Sequence, residues 1–459
     1  MESYGIISLL PIFIILILAV STRRTLFAMC AGLTVGAAIL AGKNGGFVDS
    51  WFHYAYKSMS NESMQWIVLI VAMFGMLIVL FERSNAVSDF GFWARRFVKT
   101  QKQSMVATAI LGIIIFIDDY LNNLAVGTTM KGITDRLGVP RTQLAYIVNS
   151  MAAPVCILIP LSSWAAYFAK LMESQGVTVH GTGMGAYLRG LPFTFYAYIA
   201  IIICFLQIFG IIPKLGQIQK DYAHYEKTGS VFPEGTDQEQ VDAEMNVAEP
   251  GEDDRPRPWN FLIPLAVMIA ATLAAGTEVL VGSTAGVITA FVLYLIQRKM
   301  SFRELLEACY DGIVSMTFVM ILTFLAFAVQ QVNVDLGLAN FVIEVTKPVM
   351  KGAFLPMVVF LVCGVYAYAT GCFWDLAAII LPIVIPLANA MGVDPILASS
   401  AVFSGACFGS NTCLYGDGVI MCAQGSGIKS IDLMFASLPY AGMSAAATAV
   451  LYLITGFVM

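Results

Sequence analysis

The sequence predicts an all-α polytopic membrane protein made of two inverted-topology repeats, each carrying a re-entrant hairpin and an interrupted transmembrane helix. Three observations support this. First, the 459 residues are 58% hydrophobic and 12% charged, with a mean hydropathy of +0.79; that apolar excess excludes a cytosolic enzyme or a nucleic-acid binder. Second, apolar runs approaching the roughly 20 residues a bilayer-spanning helix needs recur along both halves of the chain. Third, the runs repeat at one offset. Shifting the first-half runs 6–20, 25–41 and 64–81 by 254 positions lands close to second-half runs at 259–276, 279–296 and 313–331. The same shift places Gly138 and Val139 on Gly392 and Val393, and Ser150 and Ala152 on Ser404 and Ala406.

The first run, Ile6 to Val20, follows Glu2 and precedes Arg23 and Arg24. That is the reverse of a secretory leader, so it reads as a retained helix. After the next two runs comes a stretch broken by Gly and Pro, parsed as a re-entrant hairpin at 104–132 and a broken helix at 142–171. A run at 190–212 completes repeat 1, residues 1–213. Residues 214–258 hold eleven Asp and Glu against five Lys and Arg, more than the whole net charge of -5. Polar and without apolar periodicity, they read as a solvated cytoplasmic linker. Repeat 2, residues 259–459, carries its own hairpin at 354–388, a broken helix at 396–425 and a final run at 432–457. Residues 46–59 and 302–312 mix polar and aromatic side chains and are expected along the membrane interface.

On this parse each half crosses five times, and an odd number makes the second half an inverted copy of the first, an architecture of secondary transporters. With the N-terminus outside, 19 of the 25 Lys and Arg fall on the cytoplasmic side, the bias expected of a multi-pass protein of the bacterial inner-membrane type. The nine cysteines lie almost all in apolar runs without a CxxC pair, as small packing residues do.

Ionisable groups at membrane depth carry the functional signal, because a charge there costs several kcal/mol unless it is paired or hydrated. Outside the linker, Asp118, Asp119, Asp375 and Asp417 are the acids inside the broken stretches, and the basic residues within the same bounds, Lys131 and Lys170, stand at their far ends. Carboxylates without cationic partners point to a bound cation or proton. Around them stand Asn122, Asn123, Asn149, Ser150, Ser162 and Ser163 in the first half, and Thr370, Ser404, Ser410, Asn411 and Thr412 in the second. Oxygen donors at helix breaks suit Na⁺, for which Asp119, Asn123, Ser150, Asp375, Asn411 and Asp417 are the candidate ligands. Isolated Ser and Thr in such helices often only bond back to the preceding turn. His53, His180 and His224 fall in loops or interfacial segments, so proton handling in the core would use carboxylates. No nucleophile, base and oxyanion set can be placed, so no enzyme is expected, and no cofactor beyond Na⁺ as coupling ion.

The stretch from Asp118 to Trp164, DDYLNNLAVGTTMKGITDRLGVPRTQLAYIVNSMAAPVCILIPLSSW, resembles the signature of NhaC-type sodium/proton antiporters, a family of the ion-transporter superfamily that includes malate/lactate sodium antiporters. The resemblance implies Na⁺/H⁺ antiport by an elevator-like movement, in a lipid bilayer and with a possible homodimer, and no nucleic-acid partner. The second half departs from the family pattern. Where the family reads TGTSWGT, this chain runs Thr370-Gly371-Cys372-Phe373-Trp374-Asp375-Leu376, and where it reads GDHCSPISDT this chain keeps Asp417 but not the His. Ser410-Asn411-Thr412 is similar to the SNT motif of dicarboxylate/sodium symporters. These departures leave open an alternative, Na⁺-coupled transport or exchange of a small organic solute such as an amino acid or carboxylate.

Overall fold

The computed structural model describes residues 4–22, 24–86, 89, 98–234, 257–276, 278–370, 373–414 and 416–459, with backbone alone at 20, 25 and 375. It is helical throughout, and the described residues form no strand beyond an isolated bridge between Val179 and Thr182. The first half comprises α1 (Leu10–Thr22), α2 (Thr25–Ile39), α3 (Phe47–Met59), α4 (Glu62–Arg83), α5 (Gln101–Ile114), α6 (Asp119–Arg136), α7 (Arg141–Met151), α8 (Ala153–Leu158), α9 (Ser163–Ser174), α10 (Gly183–Gly190) and α11 (Phe195–Ile208). After α12 (Gly216–Thr228), the second half runs α13 (Trp259–Ala274), α14 (Val279–Ile296), α15 (Phe302–Ser315), α16 (Thr317–Asp335), α17 (Leu338–Thr346), α18 (Leu355–Thr370), α19 (Trp374–Met391), α20 (Pro395–Thr412), α21 (Asp417–Ser426) and α22 (Ser430–Val458).

By length and hydropathy, five helices among the described residues can cross a bilayer: Glu62–Arg83, Val279–Ile296, Phe302–Asp335, Gly352–Thr370 and Ser430–Val458. Two bent helix pairs, each a broken span or a re-entrant loop, are Arg141–Leu158 with Ser163–Ser174 at 40° and Gly183–Phe193 with Phe195–Ile208 at 48°. Helices α1, α2 and α13 are apolar but only 13, 15 and 16 residues long; at about 1.5 Å per residue they fall short of a 30 Å hydrocarbon core.

Two segments differ from the sequence expectation. Residues 302–312 belong to α15, which joins α16 at Met316 and buries Leu305, Ala308 and Gly312. That i, i+3, i+7 stripe packs α15 onto α4, so the segment continues a long helix. The linker is also structured at its start: α12 buries Ile218, Asp221 and Tyr222, and the chain beyond it is tied to α7 through the Arg141 amide, which donates to the Val231 carbonyl at 2.9 Å. Two apolar residues sufficed for that docking, too few to register as periodicity. The rest of the linker, 235–256, lies outside the described residues.

The broken stretches form the centre of the fold. α6 crosses α21 where two glycines meet: a Cβ on Gly127 would lie 2.8 Å from the backbone carbon of Gly425, and a Cβ on Gly425 would lie 2.8 Å from the carbonyl oxygens of Asn123 and Leu124. Only glycines let the two backbones approach this closely. The contact draws the start of α21 against the first turns of α6.

Candidate functional site

Four helices begin at the centre of the molecule: α6 at Asp119, α9 at Ser163, α19 at Trp374 and α21 at Asp417. Each helix N-terminus exposes unpaired N–H groups and a partial positive charge, which offsets part of the cost of placing carboxylates there. Asp118 and Asp119 are 1% and 0% exposed, and their neighbours give them different roles.

Asp118 is held on all sides. It is the N-cap of α6, its Oδ1 accepting from the amides of Tyr120 at 2.9 Å and Leu121 at 3.5 Å, while Oδ2 accepts from the Ser163 hydroxyl at 2.7 Å. Asp119 is held on one side only. Its Oδ1 accepts from the indole N–H of Trp164 at 2.8 Å, while Oδ2, buried, receives no hydrogen bond. That oxygen lies near α21. A Cβ placed on Gly418 would lie 3.5 Å from Asp119 Oδ2, 3.4 Å from Asn123 Nδ2 and 3.5 Å from Ser410 Oγ, so three polar side chains from α6 and α20 gather around that α carbon. Asn123 stands one helical turn after Asp119, and its Oδ1 is likewise buried without a donor. Buried acceptors rarely go unmatched; Asn123 presents its Nδ2 to this cluster, and turning its amide over brings Oδ1 beside the carboxylate oxygen and the hydroxyl, a set of oxygens suited to a hard cation. Among the described residues no three His, Cys, Asp or Glu cluster as they would for a transition metal.

The other sequence candidates fall into place around this cluster or away from it. Asn122 turns into the hairpin, its amide donating to the carbonyls of Gly112 at 2.6 Å and Ile115 at 2.8 Å; it closes the hairpin tip. Ser162 caps α9 by accepting from the Ala165 amide at 3.1 Å. Asn149, Ser150 and Asn411 line a separate small polar cleft with Tyr146, Tyr196, Ser437 and Tyr440, where the Asn149 amide donates to the Asn411 carbonyl at 2.8 Å. Asp417 opens α21 and is exposed. Three further candidates have these hydrogen bonds. Thr370 and Thr412 bond back to the carbonyls of Tyr366 at 3.0 Å and Phe408 at 2.7 Å, and Ser404 pairs with the Tyr452 hydroxyl at 2.7 Å. The Asp375 side chain lies outside the described residues, although its backbone is in the first turn of α19.

Two participants are not among the candidate ligands read from the sequence. Gly418 is identified only by what surrounds it. Trp164 stood inside the quoted motif beside Ser162 and Ser163; the available signal was an indole donor at the start of a half-helix, one residue from a hydroxyl.

Buried carboxylates at helix breaks within an all-helical, multi-pass fold define a membrane transporter rather than an enzyme. The chain belongs to the Na⁺/H⁺ antiporter family, whose family model matches residues 155–457. The matched segment includes Trp164, Ser410 and Gly418 and begins after Asp119 and Asn123. An uncharacterised protein of Haemophilus influenzae is 27% identical over 99% of this chain and 92% of its own. Among solved structures, the YdaH transporter of Alcanivorax borkumensis is similar over 94% of this chain and 97% of that one, at 15% identity and a TM-score of 0.65. MtrF of Neisseria gonorrhoeae, from a class of antimetabolite efflux pumps, is similar over 90% and 85% of the two chains, at 13% identity and a TM-score of 0.55. At such identities the likeness is one of fold.

Proposed function

We propose that this transporter is an NhaC-type antiporter that exchanges Na⁺ for H⁺, and that Asp119 is the group that carries either ion. The observation that supports this most is the buried Asp119 Oδ2, without a donor and beside Asn123 and Ser410. A carboxylate oxygen there can hold a proton or a cation, and each excludes the other. Asn123 and Ser410 replace part of the hydration shell that Na⁺ sheds. Asp118, saturated by its cap and by Ser163, fixes the hairpin tip. Asp417, exposed on the neighbouring half-helix, is placed to attract a cation on its way in or out.

Alternating access would come from an elevator-like movement of the hairpins and broken helices against the rest. Their helix starts support an inverted-repeat reading: Arg141 and Pro395, and Ser163 and Asp417, each stand 254 positions apart. Proteoliposomes with an imposed pH gradient test the function. Added Na⁺ should collapse the gradient with the wild-type protein and fail to do so with Asp119→Asn; equal collapse in both would remove the proposal.

A second reading, Na⁺-coupled movement of a small organic solute, draws on the aromatic wall next to the cluster, where Trp164 stacks on Phe373 with ring centroids 4.5 Å apart. A solute that raises thermal stability only when Na⁺ is present would favour it.

A further inference from the structure

Resting on the assignment of Asp119, we infer that Trp164 is a positioning residue that makes the exchange obligatory by confining both Na⁺ and H⁺ to a single oxygen, Asp119 Oδ2.

The chemistry follows from what an indole can do. Its N–H is a donor and has no acceptor capacity. Donating to Asp119 Oδ1 at 2.8 Å, it requires Oδ1 to remain an acceptor, so a proton on that oxygen would set two hydrogens against each other. The proton is therefore directed to Oδ2, the oxygen that faces Asn123 and Ser410. A cation arriving at Oδ2 meets the proton on the same atom and displaces it to water, one for one. Without the indole N–H, a proton could sit on Oδ1 while Na⁺ occupied Oδ2. The carboxyl would then carry both ions together, and counter-transport would slip.

The ring is fixed to keep the N–H aimed. Trp164 is fully buried. Phe373 stacks on it at 4.5 Å and 24°, Phe168 meets it edge-on at 5.6 Å and Trp374 lies 5.7 Å away. Trp374 is itself anchored at both ends. Its carbonyl accepts from the Tyr167 hydroxyl at 2.9 Å, and its indole N–H donates to the Tyr120 hydroxyl at 3.3 Å. One turn of α9 thus bridges the hairpin tips of the two halves, and the rotation of the indole is set by residues from both.

The test counts protons released per Na⁺ bound, using purified protein in weakly buffered detergent solution at a pH where wild type releases protons. Wild type should release about one proton per Na⁺. Trp164→Phe, which keeps an aromatic ring in the stack and loses the donor, should still bind Na⁺ but release fewer than about half as many protons per ion. If Trp164→Phe does not fold, replacement of Trp164 by benzothienylalanine, which has the same shape with sulfur in place of N–H, makes the same measurement. A wild-type ratio in the donor-less variant overturns the role of Trp164. A purely structural role would lower the amount of Na⁺ bound and leave the ratio unchanged. Asp119→Asn serves as the separate control: unaltered Na⁺ binding there would overturn the Asp119 assignment itself, whatever Trp164 does.

Discussion

Asp119→Asn should make the protein more stable while removing its response to Na⁺. The asparagine keeps its Oδ1 as acceptor for the Trp164 indole, so the bond that holds the side chain survives. On the other side, an NH₂ replaces an oxygen that has no donor, next to Asn123, whose Oδ1 also lacks one. The substitution therefore removes one unmatched buried acceptor. Leaving such a group unmatched costs about 1–3 kcal/mol, so in Na⁺-free buffer the variant should gain about that much, a rise of about 1–3 °C in unfolding temperature for a chain of this length. Wild type should recover the difference when Na⁺ is added, since a ligand at a hundred times its Kd stabilises by about 2.7 kcal/mol. Thermal unfolding of both proteins, with Na⁺ and with choline at matched ionic strength, makes the comparison. A variant that is less stable than wild type without Na⁺, yet stabilised by Na⁺ to the same extent, would refute the reasoning, because Asp119 would then be a structural residue.

Gly127→Ala should cost about 1–3 kcal/mol as an overpacked contact, because its Cβ would meet Gly425 backbone at 2.8 Å and no side chain can yield there; chemical denaturation reads this, and a neutral result would contradict the α6–α21 crossing. Tyr452→Phe should cost about 1–3 kcal/mol, since the hydroxyl donates to the Phe193 carbonyl at 2.7 Å or to the Ser400 carbonyl at 2.8 Å and also meets Ser404; unfolding within 0.5 kcal/mol of wild type would show those groups to be otherwise satisfied. The docking of α12 should depend on pH. Burial pushes the Asp221 carboxyl above its ordinary value, against the opposing hydrogen bonds from Thr142 and Gln217. The docked helix therefore binds the proton more tightly than the released one, and docking is strongest below the ordinary carboxylate range of about 4 and weakens as pH rises through the raised value. Protease cleavage within 216–228 should increase over that window in wild type and stay flat in Asp221→Asn; protection that grows with pH would have the sign wrong.

Much of this was legible in the sequence, for identifiable reasons. Acids in apolar surroundings are costly, so Asp118 and Asp119 stood out by residue type alone, and Gly and Pro marked the breaks at which α6, α9 and α21 begin. The difference between the two acids was not legible. It depends on Ser163 and Trp164, 45 residues further along, reaching back to opposite neighbours, and spacing carries no information about which partner meets which oxygen. Thr412 and Ser404 were named because hydroxyls at helix breaks can bind ions; in the structure they bond to the Phe408 carbonyl and the Tyr452 hydroxyl, partners that spacing does not reveal. The docking of α12 was missed because Ile218 and Tyr222 are too few to form a pattern, and a buried Asp221 in an acidic segment looks like one more solvated charge.

The central claim is that Na⁺ and H⁺ compete for Asp119 Oδ2, and the most direct measurement is calorimetric Na⁺ affinity across pH. One-for-one competition predicts that, once the carboxyl is mostly protonated, each further unit fall in pH raises the apparent Kd tenfold, and that Asp119→Asn shows no Na⁺ binding at any pH. A wild-type Kd independent of pH, or Na⁺ binding that survives in Asp119→Asn, would contradict it.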